Sequence, residues 1–156
     1  MTLKEKIRQK EITIGSWVTI GHPSIAEIMA RVGFDWIVLD LEHSVIELSD
    51  LQSSIQNLDA FKVPSIARLT SNNADQIKRV MDAGAHGIMV PMVISAEEAR
   101  LAVEAVYYPP KGKRGVGLAR AQGYGASFAE YVSWLEENAI IIVMIEHIDA
   151  VANIED

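Results

Sequence analysis

Along the chain, short runs of adjacent apolar residues alternate with longer segments in which apolar positions recur every three or four residues. The short runs fit strands buried on both faces of a parallel sheet, and the longer segments fit helices with one buried stripe. Lys4 to Lys10 predicts a short polar lead-in helix, and Ile12 to Val18 a first strand that stops at Gly21-His22-Pro23. Ser24 with Glu27 reads as a capping box for a helix carrying Ile25, Ile28, Met29 and Val32 up to Gly33, a natural stop. Trp36 to Leu39 is the second strand. Ser49 with Gln52 again fits a capping box, for a helix striped by Leu48, Leu51, Ile55 and Leu58. Pro64 to Leu69 is the third strand, followed by cap chemistry at Thr70-Ser71-Asn72-Asn73 and a helix through Ile77, Val80 and Met81 to Gly84. His86 to Pro91 is the fourth strand. Ser95 with Glu98 caps the next helix, through Val106, and Ser127 with Glu130 one striped by Phe128, Tyr131, Val132 and Leu135. Ile140 to Ile145 is the fifth strand, and Ile148 to Glu155 starts another helix.

Five apolar strands separated by amphipathic helices argue for parallel βα units joined by right-handed crossovers. Polar residues collect after strands two, three and five, where barrels and open α/β sheets both place their sites. A dinucleotide fold would want Gly-x-Gly-x-x-Gly after strand one, and Gly15 to Gly21 does not supply it. The expected fold is therefore a (β/α)8 TIM barrel. A complete barrel takes about 250 residues, so residues 1–156 are expected to form a single domain holding its first five units and stopping before strand six.

Composition narrows the partners. At 49% apolar residues the chain is not disordered, and a net charge of −7 leaves no broad basic footprint for nucleic acid. The absence of cysteine removes disulfides, thiolate metal sites and cysteine nucleophiles together. No stretch approaches the roughly 20 apolar residues of a membrane span, and the charged start Met1 to Arg8 lacks an apolar signal core. A cytoplasmic protein with a small-molecule partner, and neither nucleic acid nor membrane, is expected.

The densest chemistry follows the second strand, where Asp40, Glu42 and His43 arrive within four residues. Two carboxylates and an imidazole are costly at the end of a buried strand unless paired, hydrated or metal-bound. Arg68 ends the third strand and Glu146 closes the fifth. Each has a plainer reading: a hydrogen-bonded loop histidine, a surface ion pair, a solvated strand end. Trp17 suits either a site wall or the core. The Gly-, Pro- and cation-rich stretch Tyr107 to Arg120 is a loop long enough to be functional, its Lys111 to Arg120 part either screening an anionic substrate tail or forming a solvated turn.

Seven motifs in order carry a resemblance: Ile14-Gly15-Ser16-Trp17, Asp35 to Ser44 with its Asp40-Leu41-Glu42-His43, Pro64 to Arg68, Asp82-Ala83-Gly84-Ala85, Val90 to Val93, Tyr108 to Gly115, and Ile145-Glu146. Together they resemble the metal-dependent class II pyruvate aldolases, the 4-hydroxy-2-oxo-heptane-1,7-dioate and 2-keto-3-deoxy sugar-acid aldolases grouped with the citrate lyase β-subunit. The resemblance implies a carbon–carbon lyase that cleaves 4-hydroxy-2-oxo acids to pyruvate and an aldehyde through a pyruvate enolate. It implies His43 as base, Arg68 holding the 2-oxo acid, and Glu146 as ligand of a divalent metal, Mg2+ or Mn2+ with Co2+ as a further candidate. Asp40 and Glu42 would bind metal-bound water, Trp17 would line the substrate site, and Asp82 would pair with the histidine. Because Asp82 precedes strand four, at the opposite end of its own barrel, that pairing requires a neighbouring subunit of a homo-oligomer, a hexamer being one candidate order.

Two positions depart from the pattern. Met144 stands where several of these aldolases carry Gln, two residues before the ligand Glu. The family's second carboxylate ligand, an Asp near the end of strand six, has no counterpart, since Asp149, Glu155 and Asp156 follow no strand. Two rival readings stay open: a C–C lyase of the same superfamily acting on an acyl-CoA or citrate-like substrate, and a non-catalytic truncated barrel.

Overall fold

The computed structural model describes residues 1–156. Its elements run α1 (Leu3–Arg8), β1 (Gly15–Val18), α2 (Pro23–Val32), β2 (Trp36–Asp40), α3 (Leu48–Ala60), β3 (Ser65–Arg68), α4 (Ala74–Ala83), β4 (Gly87–Val90), α5 (Ala96–Val106), a 3-10 segment (Arg120–Gly125), α6 (Phe128–Asn138), β5 (Ile140–Val143) and α7 (Ile148–Ala152). All five strands are parallel and pair in the order β1-β2-β3-β4-β5. A doubly wound sheet reverses its order partway, whereas a barrel adds each strand beside the last. The expected barrel topology therefore holds over five consecutive units.

The strands' two faces do different work. Ile37 and Leu39 of β2, Ala67 of β3, and Ile88 and Val90 of β4 point outward into a core of 29 buried residues shared with the helices. Val38, Ile66, Met89 and Ile140 point inward, with Trp36, Ile142 and Met144 beside them and Leu3 of α1 closing the lower end. Period-two alternation then puts Trp17, Asp40, Arg68 and Glu146 in the inward series, above that apolar layer. Gly15 is also on this face; a Cβ there would lie 2.1 Å from the Trp36 ring, so the indole takes the space a side chain would need.

The helix ends repay comparison with the sequence. Gly33 and Gly84 end α2 and α4 in the left-handed conformation, with φ of 95° and 105°, as expected. Asn73 and Ser95 cap α4 and α5 through side-chain oxygens. Two caps differ from expectation. Helix α2 starts two residues earlier than the Ser24 box implies, because Pro23 fits its first turn and His22 Nδ1 accepts from Ser24 N at 3.2 Å. Helix α3 is boxed by Glu47 and Asp50 rather than Ser49 and Gln52. Ser127 precedes α6 but makes no side-chain cap bond. The α2 stripe also differs: Ala26 and Ala30 are the buried residues, while Ile28 and Val32 are 57% and 64% exposed. No helix is long and apolar enough to cross a membrane.

Strands β4 and β5 meet at Gly87 and Ile140, where a Cβ on Gly87 would lie 2.4 Å from the Ile140 carbonyl oxygen, a backbone atom that cannot swing aside. Gly87→Ala must part the two strands, and overpacking of this kind costs about 1–3 kcal/mol. Urea unfolding should show that loss; a midpoint unchanged from the parent would mean the sheet relaxes there freely.

Candidate active site

Asp40 and Arg68 are register partners on β2 and β3, and both face inward. That geometry turns their side chains toward one another at the strands' C-terminal ends. Arg68 Nε donates to Asp40 Oδ1 at 2.9 Å and NH2 donates to Oδ2 at 2.5 Å, a two-point fork. Arg68 NH1 lies 3.3 Å from Glu42 Oε2. The Trp17 ring, next in line on β1, stacks on the guanidinium with 4.6 Å from Cζ to the ring centroid. Arg68 is thus held on three sides, with N–H groups left over for a ligand.

Asp40 has a second task. It is 1% exposed, and Oδ1 also accepts from the backbone N–H groups of Glu42 at 3.0 Å and His43 at 3.1 Å. This side-chain-to-backbone turn curls the chain directly after β2. Ser44 Oγ donates back to the Asp40 carbonyl and accepts from Ile46 N at 3.0 Å, which fixes the turn from its other end. Burial disfavours ionisation of Asp40, yet the hydrogen bonds from Arg68 and from the two N–H groups outweigh it and hold the carboxyl below its ordinary range. The Arg68 guanidinium is raised in turn, by its bond to Asp40 foremost.

The turn delivers His43 to the mouth with its side chain 72% exposed and its Nε2 3.7 Å from Glu42 Oε2. Glu42 therefore sits between Arg68 and His43. Across the mouth, Glu146 extends the inward series of β5 beyond Met144. Its Oε2 accepts from Met92 N at 3.1 Å, and its charge is close enough to favour the protonated Arg68. Met92 follows β4 in a left-handed conformation, φ 53°, that turns its N–H toward the carboxylate. The sequence gives little notice of this contact beyond the position of Pro91-Met92 after a buried strand.

Five of the seven expected residues, Trp17, Asp40, Glu42, His43 and Arg68, meet at one mouth, and Glu146 faces them from the segment after β5. Asp82 does not join them. It lies at the end of α4, at the opposite end of the sheet, where its Oδ1 accepts from Arg114 NH2 at 2.6 Å. Arg114 is 3% exposed and packs over the Tyr108 ring at 4.6 Å, with Tyr131 Oη at 3.2 Å from both NH1 and NH2. The Lys111 to Arg120 stretch is consequently pinned at Arg114 rather than being a solvated turn throughout.

A hard divalent ion suits the donor chemistry of Glu146, whose second oxygen makes no hydrogen bond within the chain. Asp40 has both oxygens committed to Arg68. No three His, Asp or Glu side chains gather closely enough to hold a metal ion, so these residues supply one donor and not a complete set.

Residues 13–156 match the family described as HpcH/HpaI aldolase/citrate lyase. The chain is 38% identical over 154 residues to a hydroxypyruvate/pyruvate aldolase of Pseudomonas aeruginosa, covering 97% of this chain and 57% of that protein. It is 39% identical over 155 residues to a 4-hydroxy-2-oxovalerate aldolase of Novosphingobium aromaticivorans, covering 99% of this chain and 59% of that protein. Among solved structures, a family protein from Burkholderia cenocepacia J2315 superposes with a TM-score of 0.90 at 29% identity, over 98% of this chain and 62% of its own. A citrate synthase, SbnG, superposes with a TM-score of 0.85 at 28% identity, over 99% of this chain and 59% of its own. The chain thus spans about three fifths of the length of these relatives, within the barrel fold they share. With five consecutive βα units, the inward layer of Trp17, Asp40, Arg68 and Glu146, and a match across residues 13–156, the chain belongs to the HpcH/HpaI aldolase/citrate lyase family.

Proposed function

We propose that the protein acts as a class II pyruvate aldolase, cleaving a 4-hydroxy-2-oxo acid to pyruvate and an aldehyde, with residues 1–156 as the N-terminal part of the catalytic barrel. The observation that carries this reading is the Arg68 fork. A guanidinium fixed by Asp40 and Trp17, with His43 on the far side of Glu42, suits a substrate whose carboxylate and 2-oxo group must be held while negative charge develops. In the reaction His43 takes the proton from the C4 hydroxyl, the C3–C4 bond breaks, and its electron pair moves into the C2 carbonyl as the aldehyde leaves. Arg68 hydrogen-bonds the enolate oxygen as it gains charge, and a proton delivered to C3 completes pyruvate. We further propose a divalent ion, magnesium or manganese, with Glu146 as one ligand; when bound it supplies positive charge at the enolate oxygen. Relatives named as aldolases of hydroxypyruvate, pyruvate and 4-hydroxy-2-oxovalerate support the reaction class. The exposed Ile28 and Val32 of α2 support self-association, and we place the protein in the cytoplasm as a homo-oligomer.

A second reading, C–C bond chemistry on a citrate-like or acyl-thioester substrate, is favoured by the structural likeness to a citrate synthase. Pyruvate release from 4-hydroxy-2-oxo acids, coupled to lactate dehydrogenase in a form carrying all eight βα units, should require magnesium or manganese. Citryl and malyl thioesters should give no turnover. Turnover of the thioesters alone would establish the second reading, and metal-independent pyruvate release would remove the proposed ion.

In the same form, Glu146→Ala should lower metal affinity and turnover together, because it deletes a charged ligand. Arg68→Lys keeps the charge but loses the planar fork, so metal binding should persist while turnover falls by roughly 10²–10³, the usual loss for an oxyanion-type donor. Calorimetric metal titration beside steady-state kinetics separates the two, and the opposite pattern would reverse the assigned roles.

Asp40→Asn should test the fork's support. Its depressed pKa means that ionised Asp40 contributes stability above about pH 4, the unfolded value, and that this contribution disappears as pH falls through the lower folded value. The variant should be less stable than the parent by about 3–5 kcal/mol near pH 7. Urea melts between pH 7 and pH 2 should show the gap closing below about pH 4; a gap independent of pH would mean that Asp40 matters through shape alone.

A further inference from the structure

A cavity of about 500 Å³ opens at the end of the sheet opposite the mouth, a volume suited to a small organic ligand. One wall is α1, carrying Lys4 and Lys6. The others are Phe34 before β2, Lys62 before β3, His86 before β4, and Trp134 of α6. The segments before β2, β3 and β4 and helix α6 before β5 all lead into strands that pair within residues 1–156.

Two features give the cavity its chemistry. Lys4, Lys6 and Lys62 line the cavity with one carboxylate among them, Asp35, which Lys6 already pairs at 2.6 Å. Two cations are left over in a chain of net charge −7. Lys4 donates to the Ala139 carbonyl at 2.9 Å, and burial, then the nearby charges of Arg8 and Lys111, pull its ammonium below the ordinary lysine range. An anion placed there would relieve that crowding. The second feature is an aromatic corner: His86 and Trp134 meet edge to face, with centroids 5.4 Å apart at 80°. Burial, assisted by Arg120 and opposed by Asp59, holds His86 below its ordinary pKa, so it presents a neutral ring.

We propose that this cavity binds a small aromatic acid, its ring against Trp134 and His86 and its carboxylate between Lys4 and Lys62. The site is distinct from the mouth and independent of the reaction proposed there.

The probe is 2-naphthoate, titrated calorimetrically into the 156-residue chain and by thermal shift. Saturable binding and a Tm that climbs with ligand concentration are expected. The neutral analogue 2-naphthylmethanol should bind about tenfold more weakly, and Lys62→Met and Lys4→Met should each weaken naphthoate at least about fivefold, as loss of one partly screened ion pair requires. Lys62 is exposed, so its variant decides the matter even if Lys4→Met misfolds. Arg68→Ala, checked by circular dichroism for the parental fold, should leave naphthoate binding unchanged. No saturation, equal affinity for the alcohol, unchanged binding by Lys62→Met, or loss of binding by a folded Arg68→Ala would each overturn the assignment, the last by putting the probe at the mouth.

Discussion

The ion pair between Asp40 and Arg68 is the constraint on which the mouth depends. Taking both charges out of water costs several kcal/mol per ion, a cost that Coulomb attraction offsets only when the geometry is good and the remaining lone pairs are used. Here both conditions hold. The strand register sets the two Cα atoms opposite one another, the fork is two-pointed, and Asp40 Oδ1 accepts from two further backbone N–H groups. The depressed Asp40 pKa shows which effect wins: pairing and hydrogen bonding exceed burial. One carboxylate therefore aims the guanidinium and shapes the turn that carries Glu42 and His43, so neither side chain can be repositioned without disturbing the other.

Much of this was legible in the sequence because the inward and outward faces of a barrel strand follow from counting. Trp36, Val38 and Asp40 share a face, as do Ile66 and Arg68, and as do Ile140, Ile142, Met144 and Glu146. An apolar layer ending in a polar residue after the second, third and fifth strands marks the site by position as well as by residue type. What could not be read was partnership. Asp40 has the residue type for a place beside metal-bound water, but its fork to Arg68, made across neighbouring strands, leaves no mark in the chain pattern. Register depends on where neighbouring strands start relative to one another, and the chain pattern fixes those starts only to within a few residues. The caps failed for a related reason: Ser24 and Ser49 have the right chemistry, but Pro23 and Glu47 bring the helices in earlier. The exposure of Ile28 and Val32 was hidden because spacing reports a helical stripe and not which neighbour covers it.

Arg114 was the largest omission. A cation in a Gly- and Pro-rich loop reads as solvated, and nothing local says that its guanidinium is buried among Tyr108, Tyr131 and Asp82. Those partners lie 6, 17 and 32 residues away, so only the packed helices α4 and α6 reveal the site. The arrangement anchors the long connection between α5 and α6 on the face away from the chemistry.

This anchoring also limits what Asp82 can do. Its Oδ1 is bound to Arg114, whose burial would leave an uncompensated charge if that bond were lost, at a cost of about 3–5 kcal/mol. A histidine from a neighbouring copy gains too little from one partly exposed hydrogen bond, about 1.5–3 kcal/mol at best, to displace it. Asp82 Oδ2, however, makes no hydrogen bond within the chain, and the side chain is 23% exposed. A second partner can therefore be added without breaking the first. In an oligomer, Asp82 would act as a bridge with Arg114 behind it and the incoming imidazole in front, and the buried guanidinium would keep the carboxylate oriented for that contact.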